Sequence, residues 1–242
     1  MTNDIDEVIE FIGARDPEFV KQIRGASSVD LDRLERAMKK PLLDIERQFL
    51  ERMGRGSSWL KLGNAQFDVD SLIRYYEYYG NTDPDRHWLI GRSQADPNYD
   101  FYLWEENDGN VRVVSFPPAP KENFAAFVAK HRLRVAGSLP QLIGDKALTT
   151  FCHHRMPHHR QVEDLDGKPQ SRLDQFDALL RGLGAPPLWF SNDWMRSYES
   201  PEALVNAYEV PGKFRLIVDV RAATQKEFDR IYPEVRALVK AR

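Results

Sequence analysis

A hairpin pattern between Tyr99 and Phe116 constrains the fold of this chain more than any other feature of its sequence. Two runs rich in aromatic and β-branched residues flank an Asn-Asp-Gly-Asn turn at residues 107–110. Such runs favour extended strands, and an Asp-Gly pair tolerates the positive φ angles of a tight turn. We therefore predict two antiparallel strands, which need further strands or a helix beside them to be stable.

The same part of the chain is unusually acidic. Residues 83–108 contain seven acids and two arginines, which gives a local charge of −5 in a chain whose total charge is −3. A surface of one sign attracts partners of the other sign. The segment therefore indicates binding of a basic partner rather than a chemical reaction.

Length and composition set broad limits on the class of protein. A chain of 242 residues with 42% hydrophobic and 29% charged residues can form one large domain or two small ones. The single cysteine, Cys152, excludes an internal disulfide. The acidic N-terminus lacks the pattern of a secretory signal, and no stretch reaches the roughly 20 apolar residues of a membrane span. We expect a cytoplasmic protein without a membrane partner.

Apolar residues at helical spacing predict helices on both sides of the hairpin, among them one from Val69 to Tyr79 that ends at Gly80. The run Trp59–Leu62 is typical of a short strand. Residues 150–170 show no sustained periodicity and favour a loop. We predict an N-terminal helical extension at 1–27, an α+β domain at 28–148, a His-rich linker or loop at 149–172, and a C-terminal α+β extension or small second domain at 173–242.

Two segments carry a resemblance to a known family. They are VDLDRLERAMKKPLLDIERQFLERMG, from Val29 to Gly54, and WLIGRSQADPNYDFYLWEENDGNVRVVSF, from Trp88 to Phe116. Their order, two helices separated by a proline and then strands around an acidic turn, resembles the SUKH superfamily of bacterial immunity proteins and fungal cell-wall synthesis regulators. The chain departs from the family pattern at Lys40-Pro41-Leu42, where an aromatic usually follows Leu-Pro, and at Gly54-Arg55-Gly56, which replaces an Asn-Gly pair.

The resemblance implies an α+β fold with one twisted, mainly antiparallel sheet flanked by helices. Residues 1–27 and 150–242 lie outside the resemblance, and we expect the C-terminal residues to add an α/β extension. It also implies that the protein has no catalytic residues and that its surface grips a toxin. We therefore expect a non-catalytic immunity protein that masks the active site of a cognate bacterial toxin, a basic domain such as a nuclease or deaminase. A regulatory scaffold that binds cellular proteins, like the family's eukaryotic members, is an alternative.

The predicted partner-binding surface combines acids that steer association with aromatic anchors. The run YYEYYG at residues 75–80 cannot bury every ring, because neighbouring residues of a helix point about 100° apart. Tyrosines left at the surface are favoured interface residues. The predicted acids are Asp96, Glu105, Glu106 and Asp108, and the predicted anchors are Tyr76, Tyr79, Trp88 and Tyr99.

A second hypothesis concerns residues 152–159, which contain the only cysteine and four of the six histidines. Imidazole and thiolate are ligands for zinc or copper. His154 and His158 have helical spacing, although Pro157 between them argues against a regular helix. The alternatives are a metal-binding or metal-responsive protein with Cys152, His154 and His158 as ligands, or a solvated polar loop.

The chain lacks the common catalytic motifs. No nucleophile elbow, phosphate loop, dinucleotide fingerprint or His-Glu-x-x-His pattern occurs. Glu105 and Glu106 cannot share one cleft, because successive residues of a strand face opposite sides. Residues 111–160 are basic, with eight Lys or Arg against two acids, but such a face usually pairs with the protein's own acids. We predict no enzymatic activity, no cofactor and no nucleic-acid partner.

Overall fold

The computed structural model describes residues 5–62, 65–81, 83, 85–93, 99–117, 124–164, 172–192, 194–210 and 215–240. The chain divides into two compact units, Met1–Ala147 and Leu148–Arg242, which we term unit 1 and unit 2. Each unit combines helices with an antiparallel sheet. The predicted α+β class is therefore confirmed.

Unit 1 contains a five-stranded sheet in which the strands follow one another in chain order, each antiparallel to its neighbour. Helices precede, interrupt and follow these strands. The described helices are α1 (Ile5–Gly13), α2 (Pro17–Gln22), α3 (Ser28–Met38), α4 (Asp44–Met53), α5 (Val69–Tyr79), α6 (Phe124–His131) and α7 (Leu139–Ala147). The strands are β1 (Ala65–Gln66), β2 (His87–Ser93), β3 (Asp100–Glu105), β4 (Val111–Phe116) and β5 (Leu133–Ala136).

The first two helices are an integral part of unit 1 rather than an extension of it. The apolar face of α1, with Ile5, Val8 and Ile12 fully buried, packs against α4 and α7. Residues 1–27 had the spacing of helices, but sequence spacing alone does not identify the elements that cover an apolar face. The helical prediction is confirmed, and these helices belong to the same compact unit as the predicted α+β domain.

Helix α5 begins and ends where its sequence predicts. The Asp68 side chain accepts a hydrogen bond of 2.8 Å from the backbone N–H of Ser71, which caps the helix start. Gly80 ends it with a φ of 72°, a left-handed value that favours glycine. The helix packs against α3 and β2.

The hairpin forms as predicted, with Glu105 opposite Val111 and Asp100 opposite Phe116. Its turn contains Gly109 at a φ of 83°.

The strand predicted at Trp59–Leu62 is wrong, because this run lies in a turn in which the Trp59 indole donates a 3.0 Å hydrogen bond to the Gly56 carbonyl. The strand β1 comes after it.

Unit 2 contains a four-stranded antiparallel sheet in the order β6-β9-β8-β7. Helices α8 and α9 pack on one face of this sheet, so the C-terminal part is α+β rather than α/β. The strands are β6 (His158–Asp164), β7 (Met195–Ser200), β8 (Ala203–Val210) and β9 (Arg215–Ala222), and the helices are α8 (Leu173–Gly182) and α9 (Gln225–Lys240).

The predicted linker at 149–172 is wrong for most of its described residues. Leu148–Cys152 is a π-helical turn, His153–Arg155 is a 3-10 turn, and all seven residues of β6 pair with β9. Only one residue of β6, Val162, contributes a buried apolar side chain to the core of unit 2. The edge strand therefore has no hydrophobic alternation from which it could be predicted.

Candidate functional site

The acids that the sequence places together do not form one surface. Asp100 and Glu105 begin and end β3, which separates the two ends of the acidic segment by about 17 Å at 3.3 Å per residue. Asp100 is buried beside Arg92, whose Nε lies 3.8 Å from its carboxylate. Asp96 lies outside the described residues. Asp100 and the acids of the hairpin turn thus lie at opposite ends of β3.

The acids at the hairpin turn are largely paired within the protein. Glu105 lies 3.6 Å from the Arg86 guanidinium, and Glu106 accepts a hydrogen bond of 2.5 Å from Arg112. Asp108 is exposed, and hydrogen bonds from the backbone and side chain of Asn110 hold its pKa below the usual value. The turn therefore carries less uncompensated negative charge than its sequence indicates.

Two of the four predicted anchors belong to the core. Tyr76 is 2% exposed because it continues the buried face of α5 one turn beyond Leu72 and Ile73. Trp88 is 7% exposed, and its indole donates a 3.0 Å hydrogen bond to the Pro41 carbonyl. The prediction that Tyr76 and Trp88 contact a partner is therefore wrong.

The other face of α5 presents an aromatic surface, formed by Tyr75, Tyr78, Tyr79 and Arg92, which we term the tyrosine surface. Tyr78 and Tyr79 are 81% and 59% exposed, with ring centroids 4.6 Å apart. Tyr75 lies 5.2 Å from Tyr79, and the Arg92 guanidinium lies 4.3 Å from the Tyr75 ring centroid. The rings and the cation thus hold one another in a defined arrangement at the surface of unit 1.

Of the remaining predicted anchors, Tyr79 belongs to the tyrosine surface, whereas Tyr99 lies just before β3. Tyr99 is half-buried and directly precedes Asp100, the residue beside Arg92. The sequence prediction omitted Tyr78, the most exposed of the four tyrosines of α5. Helical spacing could have found it, because positions 75, 78 and 79 share one face while 69, 72, 73 and 76 share the other.

A buried polar cluster lies between α4, α5 and β2, and we define it as Lys40, Glu46, Tyr76, Asp83 and His87. Glu46 has no exposed surface, and burial raises its pKa to about 8. Burial also raises the pKa of Asp83 to about 6, although the Tyr76 hydroxyl and the Leu89 N–H donate to its carboxylate.

The basic members of this cluster are shifted in the opposite direction. Burial lowers the pKa of His87 to about 4, and its Nδ1 lies 2.8 Å from the Asp85 carbonyl oxygen. Lys40 donates a 2.9 Å hydrogen bond to the His87 carbonyl, and burial lowers its pKa as well. At neutral pH the Glu46 carboxyl and the His87 imidazole are therefore uncharged, which makes the stability of unit 1 depend on pH.

The predicted metal ligands do not come together. Cys152 is buried, His154 is exposed, and His158 belongs to β6, where it faces the helices of unit 2. Within the described ranges no group of three His, Cys, Asp or Glu side chains is placed to hold a metal ion. The secondary structure explains this, because Cys152 ends the π-helical turn, His154 lies in the 3-10 turn, and His158 begins β6.

None of the described helices has the length and apolar character that a bilayer span requires. Neither a family model, nor a curated protein, nor a solved structure matches the chain. The resemblance to the SUKH superfamily therefore stays a prediction from the sequence pattern.

Proposed function

We propose that the chain is a protein-binding module of the SUKH type, an immunity protein that covers the active site of a cognate bacterial toxin. The observation that carries the proposal is the exposure of Tyr78 and Tyr79 beside Arg92 on a folded unit. Unit 1 also has the helix-rich, antiparallel α+β character that the resemblance implies.

The tyrosine surface has the composition of an interface centre. Tyrosine and arginine are enriched among residues that contribute most to protein–protein binding, because their flat side chains bury a large area with few rotatable bonds. Contacts among Tyr75, Tyr78, Tyr79 and Arg92 already order these groups in the free protein. Such ordering reduces the entropy lost on association.

The chemistry of this surface favours a basic partner. The exposed faces of the tyrosine rings attract Lys and Arg side chains through cation–π contacts, which are stronger once water is excluded. A nuclease or deaminase that acts on a polyanion carries such cations around its active site. Tyrosine rings bound over the active site of the toxin would exclude its substrate, and this requires no reaction by the immunity protein.

The hairpin turn is expected to contribute to steering rather than to contact. Replacing Glu105, Glu106 and Asp108 with Lys should slow association several-fold at low salt and have little effect at about 0.15 M salt, where charges more than about 8 Å apart are screened. Stopped-flow association with the toxin at two salt concentrations measures this. A dissociation rate raised tenfold or more would instead place the turn inside the interface.

Copurification tests the proposal itself. The tagged full-length chain should retain the toxin encoded by the adjacent gene as a stoichiometric complex, and should inhibit that toxin in a purified assay. Failure to bind or inhibit that toxin would contradict the proposal. Recovery of cellular proteins in its place would favour a regulatory scaffold.

A further inference from the structure

The sheet of unit 2 has one face that α8 and α9 do not cover, and this face carries a group of polar side chains. Val218 and Val220 of β9 point toward the helices, so Asp219 and Arg221 point to the opposite face. His159 of β6 is directly opposite Arg221 and shares that face, as does Asn206 of β8, which is opposite Asp219.

Asp219 contacts two of these side chains, the Arg221 guanidinium and the His159 imidazole. Its Oδ2 accepts a 3.0 Å hydrogen bond from Nε of Arg221, and its Oδ1 lies 2.8 Å from Nε2 of His159. Both partners remain accessible, since the side chains of Arg221 and His159 are 23% and 42% exposed. One carboxylate thus orients a guanidinium and an imidazole from neighbouring strands.

A third group faces the same place from the 3-10 turn. His153 is 8% exposed, and its Nε2 has no hydrogen-bond partner within the described part of the chain. The charged or ionisable groups that act on its imidazole are Arg221, Asp219 and His159, so the ring lies within electrostatic range of this group. Burial holds the pKa of His153 well below its usual value, at about 4, so the ring is neutral and can donate one N–H.

The donors that Asp219 leaves unused determine the chemistry of the site. Arg221 contacts Asp219 through Nε alone, so its terminal nitrogens have no partner among the residues described. His159 contacts Asp219 through Nε2, so its Nδ1 can donate only when the ring is protonated. A guanidinium edge, the N–H of His153 and a protonated His159 ring match the oxygens of a tetrahedral oxyanion. They do not match a metal ion, which requires lone pairs that converge.

We propose that His153, His159 and Arg221 form a binding site for a phosphoryl group, with Asp219 as the residue that positions them. The ligand class is a small phosphorylated molecule, such as a nucleotide, held by its phosphate where His159 and Arg221 are exposed, on the face of the unit 2 sheet opposite to α8 and α9. This site is separate from the tyrosine surface of unit 1 in the residues that form it. Its ligand therefore does not depend on the proposed toxin partner.

Titration of the full-length chain with inorganic phosphate, followed by NMR of the β9 backbone amides, tests the site. We expect saturable shifts at residues 219–221, and about tenfold weaker binding for Arg221→Gln, since a charge-assisted hydrogen bond is lost. His159→Gln should weaken binding as well. Arg160→Gln is the matched control, because Arg160 lies on the helix-facing side of β6 near Tyr232, and it should bind within about twofold of the natural chain.

Two further comparisons decide the result. A nucleoside monophosphate that binds more tightly than inorganic phosphate would indicate a nucleotide ligand, whereas equal affinities would indicate recognition of the phosphoryl group alone, and both support the site. Shifts that do not saturate, or equal losses in Arg221→Gln and Arg160→Gln, would mean an adventitious ion only and would overturn the proposal.

Discussion

Replacing Glu46 with Gln is expected to make unit 1 more stable than the natural unit at pH 8, and to reduce the loss of stability between pH 6.5 and pH 8. The pKa of Glu46 is 4.5 in an unfolded chain and about 8 in the fold. Between these two pKa values, the Glu46 carboxyl keeps its proton in the native state and has released it in the unfolded state. The stabilisation is complete below pH 4.5 and is lost as the pH rises to about 8, at about 1.4 kcal/mol per pH unit.

The interval above pH 6.5 separates the effect of Glu46 from those of Asp83 and His87. The raised pKa of Asp83 changes the stability only up to about pH 6. The lowered pKa of His87 changes it only between about pH 4 and 6.5. The natural unit should therefore lose about 2 kcal/mol of unfolding free energy between pH 6.5 and 8, a loss that Glu46→Gln abolishes.

Urea denaturation followed by tryptophan fluorescence measures this difference. A Trp189→Phe, Trp194→Phe background leaves the three tryptophans of unit 1 as the reporters. Glu51→Gln, a change at an exposed carboxylate of the same helix, is the control and should keep the pH dependence of the natural chain. The same pH dependence in Glu46→Gln and the natural chain would show that Glu46 does not hold a proton in the fold.

Removing the exposed tyrosines is expected to weaken toxin binding by about 100-fold. Truncation of a residue at the centre of an interface typically costs 2 kcal/mol or more, and Tyr78→Ala with Tyr79→Ala removes two such rings. Both rings are largely exposed, so the double variant should retain the fold of unit 1. Calorimetric titration with catalytically inactive toxin gives the affinity, and circular dichroism confirms the fold.

The matched control for the tyrosine variant is Leu133→Ala. Leu133 is 55% exposed on β5, at the edge of the sheet opposite to β1, so it tests whether any exposed apolar side chain of unit 1 affects binding. Its affinity should lie within about threefold of the natural chain. A double tyrosine variant that binds as tightly as Leu133→Ala would exclude the tyrosine surface from the interface.

The elements that could be predicted from sequence are those fixed by local interactions. Helix α5 has a capping aspartate, an apolar face of regular period and a glycine at its end, and the hairpin has strand-forming runs on both sides of Asp108-Gly109. Each signal lies within fewer than twenty consecutive residues. Strand β6 offers no such signal, because its register depends on pairing with β9, more than fifty residues further along the chain.

The candidate site was harder to predict because charge and exposure depend on contacts between distant residues. Counting acids could not show that Glu106 pairs with Arg112 or that Asp100 is buried beside Arg92. The buried state of Glu46 likewise follows from the packing of α4 against other elements, although its helical position is local. The exposure of Tyr78, in contrast, could have been predicted from helical spacing.

A growth assay tests most directly whether the chain works by binding through the tyrosine surface. It uses bacteria that express the toxin encoded by the adjacent gene. The natural chain and the Arg221→Gln variant are expected to restore growth, because the phosphate site is formed by unit 2 residues alone. The Tyr78→Ala, Tyr79→Ala variant, expressed at the same level, is expected to leave growth arrested. Growth that stays arrested with the natural chain, or that the double tyrosine variant restores in full, would contradict this mechanism.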